Sequence, residues 1–241
     1  MTSPEPISRV APELAGRTVA SQRWSALTFL HWRVDSADVA PLLPSGVRPD
    51  EHDGSSWVGL IGFHLGSATL AGSPPVPYLG DFAEINVRLY GVDESGRRGV
   101  VFVSLEASRL ISVLAARAVF SIPYFWASTA LDRDGARVEY RSRRHWGPGH
   151  TRIVATALEE PVVGDATAEF LTARWGLFTR RFGRTIYLPN THEPWDLQRA
   201  ELNELDDTLL EVAGFAGVAS RMPDSVLYSP GVTTRFGRPL K

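Results

Sequence analysis

The stretch FAEINVRLY, residues 82–90, decides the fold of this chain. Successive side chains of a β-strand point to opposite faces, and this stretch alternates between polar and apolar residues. One face carries a polar row, which consists of Glu84, Asn86, Arg88 and Tyr90. The other face carries only Ile, Val and Leu, so we expect it to belong to a hydrophobic core. The stretch contains no proline, and glycine first follows at Gly91, which favours a central strand.

Two environments fit the polar row. It can face solvent from a half-exposed sheet, or it can line the interior of a barrel. Asn is depleted in strands, and its presence favours the interior. There Arg88 would pair a carboxylate bidentately, and Glu84, removed from water, would act as a general acid or base. Asn86 and Tyr90 would bind the same ligand by hydrogen bonds.

The rest of the chain predicts many short strands and few helices. Strands are predicted over 23–34, 57–65, 82–92, 99–107, 124–133, 137–146, 151–159, 184–188, 195–205 and 226–236, and short helices before 44, over 109–118, near 165–175 and over 207–213. This pattern is typical of a mainly β protein (α+β with few short helices) that forms an antiparallel barrel or sandwich. Residues 1–20 are expected to be a flexible leader, and residues 21–241 a single domain.

Composition excludes several classes of function. The formal net charge is -2, so there is no basic field for nucleic acid or anionic lipid. Cysteine is absent, which excludes thiolate nucleophiles and fits a reducing, cytoplasmic location. No apolar run approaches the roughly 20 residues of a membrane span, and no signal peptide is visible. The six histidines lack metal-ligand spacing, so neither a metal nor another cofactor is expected.

The lysine content limits covalent chemistry. Lys and Arg together number 25, and Lys241, the last residue, is the only lysine. Arginine forms no Schiff base, and a lysine at the end of the chain is a poor candidate for a catalytic amine. We therefore expect no imine intermediate.

Residues 117–125 resemble the acetoacetate decarboxylase superfamily. Members of that superfamily carry an Arg-Glu-x-Trp-Gly-x-Pro-Lys-Lys stretch, whose lysine pair forms the Schiff base. Arg117, Phe120 and Pro123 match its Arg, Trp and Pro in spacing. Tyr124 and Phe125 stand where the two lysines would be. The resemblance therefore implies the fold of that superfamily without its imine chemistry.

The chain also resembles the uncharacterised YqjF-like family, which is placed near that superfamily. The matching motifs are Leu43-Pro44, Glu84-x-Asn86-x-Arg88-x-Tyr90, Arg117-x-x-Phe120-x-x-Pro123-Tyr124, Phe170-Leu171-x-x-Arg174-Trp175 and His192-x-Pro194-Trp195. The resemblance implies a cone-shaped antiparallel β-barrel with a central cavity. It also implies that Glu84 corresponds to the active-site glutamate of the decarboxylases, and it is compatible with a homo-oligomer.

Two functional hypotheses for the cavity remain open at this stage, beside a structural or assembly role in which the seven tryptophans help to pack a protomer interface. In the first, an enzyme acts on a small oxo or carboxylic acid by acid–base chemistry, as a lyase or (de)hydratase would. In the second, the same cavity is a non-catalytic binding module. The catalytic candidates are Glu84, Tyr124 and His192, and the substrate-binding candidates are Asn86, Arg88, Tyr90 and Arg117. Structural roles compete with these: Tyr124 can anchor a strand start, and Arg117 can complement a helix dipole.

Overall fold

The structure is a computed structural model that describes residues 2–70, 80–109 and 122–240. In these ranges the strands are β1 Ala20–Val34, β2 Val47–Pro49, β3 Ser56–Leu70, β4 Phe82–Asp93, β5 Arg98–Ala107, β6 Tyr124–Asp134, β7 Arg137–Arg144, β8 His150–Pro161, β9 Gly176–Arg181, β10 Arg184–Thr191, β11 Gln198–Asp207 and β12 Ser225–Phe236. The helices are α1 Ser36–Val39, α2 Ala166–Thr172 and α3 Leu209–Val212, and two 3-10 turns cover Ala40–Leu42 and Val218–Ser220. None of these helices is both long and apolar enough to cross a bilayer.

All the strands belong to one 12-stranded sheet that closes on itself twice. The larger circuit runs β5-β6-β7-β8-β11-β12-β1-β3-β4 and returns to β5. The smaller circuit leaves β5 through β9 and β10 and rejoins the sheet at β12. The strands β12, β1, β3, β4 and β5 are common to both circuits. These shared strands therefore separate two interiors.

The β4 strand shows why both of its faces are buried. Ile85, Val87 and Leu89 are fully buried in the main hydrophobic core, which fills the larger circuit. The polar row of β4 points the other way, toward the smaller circuit. The alternation predicted from residues 82–90 is confirmed, and the second face is an interior surface rather than a solvent-facing one.

The mainly β barrel is confirmed, and most of its strand pairs are antiparallel. The β5–β6 and β5–β9 pairs are parallel, and the remaining pairs are antiparallel. The sequence reading also missed β9, which is short and follows α2 closely. The helix predicted over 109–118 lies almost entirely outside the described residues.

The segment before β1 contains no helix or strand, yet it contacts the barrel at several points. The backbone N–H of Glu5 donates to Gly96 O at 2.8 Å, and the indole N–H of Trp175 donates to Ser8 O at 2.9 Å. Ile7 packs against the cluster of buried residues around Phe170. The flexibility expected for residues 1–20 stays a prediction, and these contacts hold part of the segment against the domain.

Candidate functional site

The smaller circuit encloses a cavity of about 160 Å³. An engineered apolar cavity of about 150 Å³ is known to hold benzene, so this volume suits a small molecule. The polar residues that line it are Gln22, Glu84, Asn86, Arg88, Tyr124, Thr172, Arg174, Asn190 and His192. They come from four strands, from α2 and from the segments on either side of these elements. Residues far apart in the chain therefore meet at this one surface.

Aromatic rings form much of the apolar wall of the cavity. Trp24 stacks on Trp195 with a centroid distance of 6.4 Å and an interplanar angle of 13°. Phe63 meets Trp24 edge to face at 5.7 Å, and Phe29 meets Trp195 in the same way at 5.4 Å. Such ring pairs add stability beyond the area that they bury. The wall is therefore a packed, rigid surface suited to the apolar part of a ligand.

Glu84 is the acidic group of the cavity. It is only 2% exposed, and the hydroxyl of Tyr124 donates a hydrogen bond of 2.8 Å to its Oε2. Burial raises the pKa of Glu84 from 4.5 to about 8, although the hydrogen bonds from Tyr124 and Asn86 act in the opposite direction. Burial and the neighbouring carboxyl also raise the pKa of Tyr124. Near neutral pH the cavity thus holds a carboxylic acid that is close to its titration midpoint.

The side chain of Asn86 leaves one acceptor free in the cavity. Its amide group donates to Glu84, which fixes the direction of the side chain. Its Oδ1 is buried and has no hydrogen-bond partner among the described residues. A buried acceptor without a partner costs free energy, so a group that donates to it would bind favourably. A ligand hydroxyl or enol would meet this requirement directly beside the Glu84 carboxyl.

Arg88 is held in position by two hydrogen bonds. Its Nε donates to the hydroxyl of Tyr90 at 2.9 Å, and its Nη2 donates to Leu171 O at 3.0 Å. The Tyr90 hydroxyl lies 2.6 Å from Nε2 of His31. Burial and the nearby guanidinium groups lower the pKa of His31 well below its ordinary value, so its ring is neutral and shares this hydrogen bond with Tyr90. Tyr90 therefore lies behind the cavity wall and orients Arg88.

Arg174 is a cavity residue to which the sequence reading gave no role. It is 5% exposed, its Nε donates to Phe170 O at 2.7 Å, and its Nη1 contacts the carboxylate of Asp50. The third guanidinium nitrogen, Nη2, is buried and has no partner in the described part of the chain. Burial lowers the pKa of Arg174, and the Asp50 carboxylate counteracts this effect. The cavity therefore contains a buried cation with a free donor.

The end of α2 explains how Arg174 reaches the cavity. Asp165 caps the helix by accepting from Ala168 N at 2.9 Å. The helix ends at Thr172, and β9 begins at Gly176, so Arg174 lies in a tight connection. The motif Phe170-Leu171-x-x-Arg174-Trp175 was visible in the sequence, but its charge partner Asp50 is 124 positions away. No local pattern could have paired the two.

His192 lies in the cavity wall among aromatic rings. Its Nδ1 donates to Glu193 O at 2.6 Å, so Nε2 carries the free lone pair. The ring centroid lies 4.6 Å from that of Trp175 and 4.5 Å from that of Trp195. Burial lowers the pKa of His192, so the ring is neutral near pH 7. This imidazole can accept a proton or a hydrogen bond from a ligand.

The structure thus brings most of the predicted site residues to one surface. Glu84, Asn86, Arg88, Tyr124 and His192 all line the cavity. Tyr90 is not part of the wall, and its predicted contact with ligand is replaced by its contact with Arg88. Arg117 lies outside the described residues. The catalytic and binding roles assigned to these residues remain predictions.

The fold is similar to that of acetoacetate decarboxylase-like enzymes. An acetoacetate decarboxylase-like enzyme from Sphingomonas wittichii RW1 superposes with a TM-score of 0.64 at 14% identity, covering 94% of each chain. The acetoacetate decarboxylase of Legionella pneumophila gives 0.64 at 14% identity, covering 96% of this chain and 92% of its own. The enduracididine biosynthesis enzyme MppR, in complex with pyruvate, gives 0.61 at 12% identity, covering 93% and 90%. At these identities the likeness concerns the fold alone.

The sequence comparisons are more specific. The profile of the DUF2071 family, described as an uncharacterized conserved protein, matches residues 21–233. The uncharacterized protein YqjF of Bacillus subtilis (strain 168) is 31% identical over 205 residues, covering 83% of each chain. The protein belongs to the DUF2071 family. The resemblance to YqjF-like proteins is confirmed, and the resemblance to the decarboxylases is confirmed for the fold.

Proposed function

We propose that the protein binds a small oxo or carboxylic acid in this cavity and transforms it by acid–base chemistry at Glu84. The reaction class is that of a lyase or a (de)hydratase. The observation that carries the proposal is the buried Glu84–Tyr124 pair, which shares the cavity with Asn86 and two guanidinium groups.

The environment of Glu84 suits proton transfer near neutral pH. A general acid or base is most effective when its pKa lies near the working pH, and the pKa of Glu84 is raised to about 8. In its protonated form, Glu84 would deliver a proton to a carbonyl oxygen or to a leaving hydroxyl group. In its ionised form, it would remove a proton from carbon. Tyr124 would hold the carboxyl in place during both steps through its hydrogen bond to Oε2.

Asn86 and His192 would assist the same chemistry. An enol that forms next to Glu84 would donate its O–H to Oδ1 of Asn86, which has no other partner among the described residues. The carbonyl form of the ligand cannot make this bond because its oxygen only accepts. The arrangement therefore favours the enol over the carbonyl form. The neutral His192 would serve as a second proton acceptor on the aromatic side of the cavity.

The fold relatives support the chemical class of the ligand. Two of them are described as an acetoacetate decarboxylase and a decarboxylase-like enzyme, and MppR was studied as a complex with pyruvate. All three descriptions point to small acids in the same fold. A lysine imine, as in the decarboxylases, is not part of the mechanism proposed for this protein, because its only lysine is Lys241.

The proposal is tested by comparing wild type with Glu84→Gln on a panel of small oxo acids. Proton exchange at the carbon next to the carbonyl is followed in D2O by NMR, and binding is followed by calorimetry. We expect exchange in wild type, loss of exchange in Glu84→Gln, and binding within about tenfold of wild type. Glu201→Gln, an exposed change on β11, is the matched control and should leave exchange unaltered.

A non-catalytic binding module is the second candidate. It is favoured by Tyr124 and Phe125, which stand where the decarboxylases carry their lysines. Wild-type protein that binds an acid tightly but exchanges no proton would support this second function and contradict the first.

A further inference from the structure

The polar network behind the cavity contains more positive than negative charge. Asp50 is 2% exposed, and its carboxylate contacts both Arg98 and Arg174. Arg88 has no carboxylate partner in the described part of the chain, since its guanidinium group donates to the Tyr90 hydroxyl and to Leu171 O. Two guanidinium groups therefore share the Asp50 carboxylate, and the third, that of Arg88, is held by uncharged groups. Buried charge is costly unless it is paired, so this region is prepared to receive an anion.

Arg88 and Arg174 both lie close to the ring of Tyr90. The guanidinium carbon of Arg88 lies 5.5 Å from the centroid of Tyr90, and that of Arg174 lies 4.9 Å from it. Burial and these two arginines also keep His31 neutral, so the imidazole does not supply a further cation. The positive charge of Arg88 and Arg174 is thus concentrated around Tyr90.

The free donor of this network belongs to Arg174. Its Nε and Nη1 are occupied by Phe170 O and Asp50, and both contacts fix the plane of the guanidinium group. Its Nη2 has less than 1 Å² of exposed surface and no hydrogen-bond partner within residues 2–70, 80–109 and 122–240, and the residue lines the cavity. An N–H of a buried cation gains most from a charged acceptor. A carboxylate in the cavity is the acceptor that fits.

We propose that Arg174, oriented by Asp50, binds the carboxylate of the cavity ligand, and that this ligand is a small carboxylic acid with an apolar or aromatic body. The proposal rests on the cavity described under the proposed function and adds the residue that selects the ligand. Arg88 then lines the path between this anchor and Glu84. The apolar body of the ligand lies against Trp24, Phe63 and Trp195.

The test compares carboxylates with their neutral amides. Benzoate and phenylpyruvate are the aromatic probes, acetate and pyruvate the short ones, and benzamide and acetamide the neutral controls. Each is titrated to 50 mM at constant ionic strength against the full chain, and the melting temperature is recorded. We expect benzoate and phenylpyruvate to raise the melting temperature, acetate and pyruvate to raise it less, and the amides to leave it unchanged.

Variants then assign the effect to Arg174. Arg174→Gln should weaken binding of the aromatic carboxylates by about 10- to 100-fold, the usual range for a hydrogen bond to a charged group. Arg180→Gln removes an exposed arginine of β9 and should leave binding unaltered. If Arg174→Gln does not fold, Arg174→Lys keeps the charge but loses the planar fork, and it should weaken binding by a smaller factor. Asp50→Asn should weaken binding without removing the cation.

Each outcome decides the proposal. If no carboxylate stabilises wild type more than its amide, or if Arg174→Gln and Arg174→Lys bind as tightly as wild type, Arg174 is not the anchor. Failure of this proposal is distinct from failure of the acid–base proposal. Proton exchange that depends on Glu84 but not on Arg174 would leave the proposed function intact and overturn only the anchor.

Discussion

The hydroxyl of Tyr124 donates a 2.8 Å hydrogen bond to Oε2 of Glu84, in a cavity wall where Glu84 is almost fully buried. This hydrogen bond lowers the pKa of Glu84, while burial raises it by more. Tyr124 therefore holds the buried carboxyl of Glu84 in position.

Tyr124→Phe should raise the pKa of Glu84 above its wild-type value of about 8, because the ionised carboxylate loses a donor. Infrared spectroscopy of the carboxylic acid C=O stretch against pH measures this change. Tyr228→Phe is the matched control, since the Tyr228 hydroxyl has no partner among the described residues and does not line the cavity. An unchanged midpoint in Tyr124→Phe would show that the hydrogen bond is not formed.

The free energy of unfolding should fall as pH rises through the range in which Glu84 titrates. The folded pKa of about 8 lies above the ordinary value of 4.5, so the folded state binds more protons than the unfolded state between these values. The contribution of Glu84 to the free energy of unfolding is therefore constant below about pH 4.5 and becomes less favourable up to about pH 8. The total change is of the order of 4–5 kcal/mol.

Urea unfolding of wild type and Glu84→Gln at pH 5.5, 7 and 8.5 measures this change. The variant should gain stability relative to wild type as pH rises, since its amide does not ionise. A difference between the two proteins that is independent of pH would indicate that Glu84 has an ordinary pKa.

Asp50→Asn should lower the free energy of unfolding by about 3–5 kcal/mol, because it leaves Arg98 and Arg174 without their buried counter-charge. Asp53→Asn is the control: its side chain is 60% exposed, and its pair with Arg33 should contribute less than about 1 kcal/mol. Chemical denaturation of both variants gives the comparison. Equal losses in the two would contradict the burial of the Asp50 network.

Gly62→Ala should destabilise the barrel by about 1–3 kcal/mol through overpacking. A Cβ at Gly62 would lie 2.7 Å from the ring of Tyr140, which is held by hydrogen bonds to Ala26 O and to Thr28. Gly66→Ala in the same strand meets its nearest atom, in His64, at 3.4 Å and should cost less than about 1 kcal/mol. Thermal unfolding of the two variants tests the packing between β3 and β7.

Borohydride reduction with any oxo acid should leave no covalent adduct at an internal residue. Imine formation needs an unprotonated amine, and the only lysine is Lys241. Mass spectrometry of the treated protein measures the outcome. A stable adduct at an internal residue would contradict acid–base chemistry as the sole route.

The strand that carries the polar row, β4, and the three strands that follow it could be predicted from the sequence, because alternation and turn residues are local patterns. Alternation over residues 82–90 and the turn residues after Asp93 and Asp134 predicted β4 to β7 with small errors in their bounds. The smaller circuit could not be predicted in this way. It closes through very few residue pairs, such as Val100 with Leu177, and these link strands that are distant in the chain.

The residues of the candidate site likewise fall into those that a local pattern predicted and those that depend on tertiary packing. Glu84, Asn86 and Arg88 share one strand face, so their common location followed from the two-residue period. The orientation of Arg174 depends on its contact with Asp50, and the orientation of Arg88 depends on its hydrogen bond to Tyr90. Tertiary packing rather than sequence spacing sets both contacts, so the sequence did not predict them.

The protonation state of Glu84 tests the account most directly. Glutamate labelled with ¹³C at the carboxyl carbon is incorporated, the Glu84 signal is assigned by its loss in Glu84→Gln, and the signal is titrated against pH. We predict a midpoint near pH 8, as expected for a buried acid in the cavity. A midpoint near 4.5 would place the carboxyl in contact with bulk water and would contradict the proposed acid–base site.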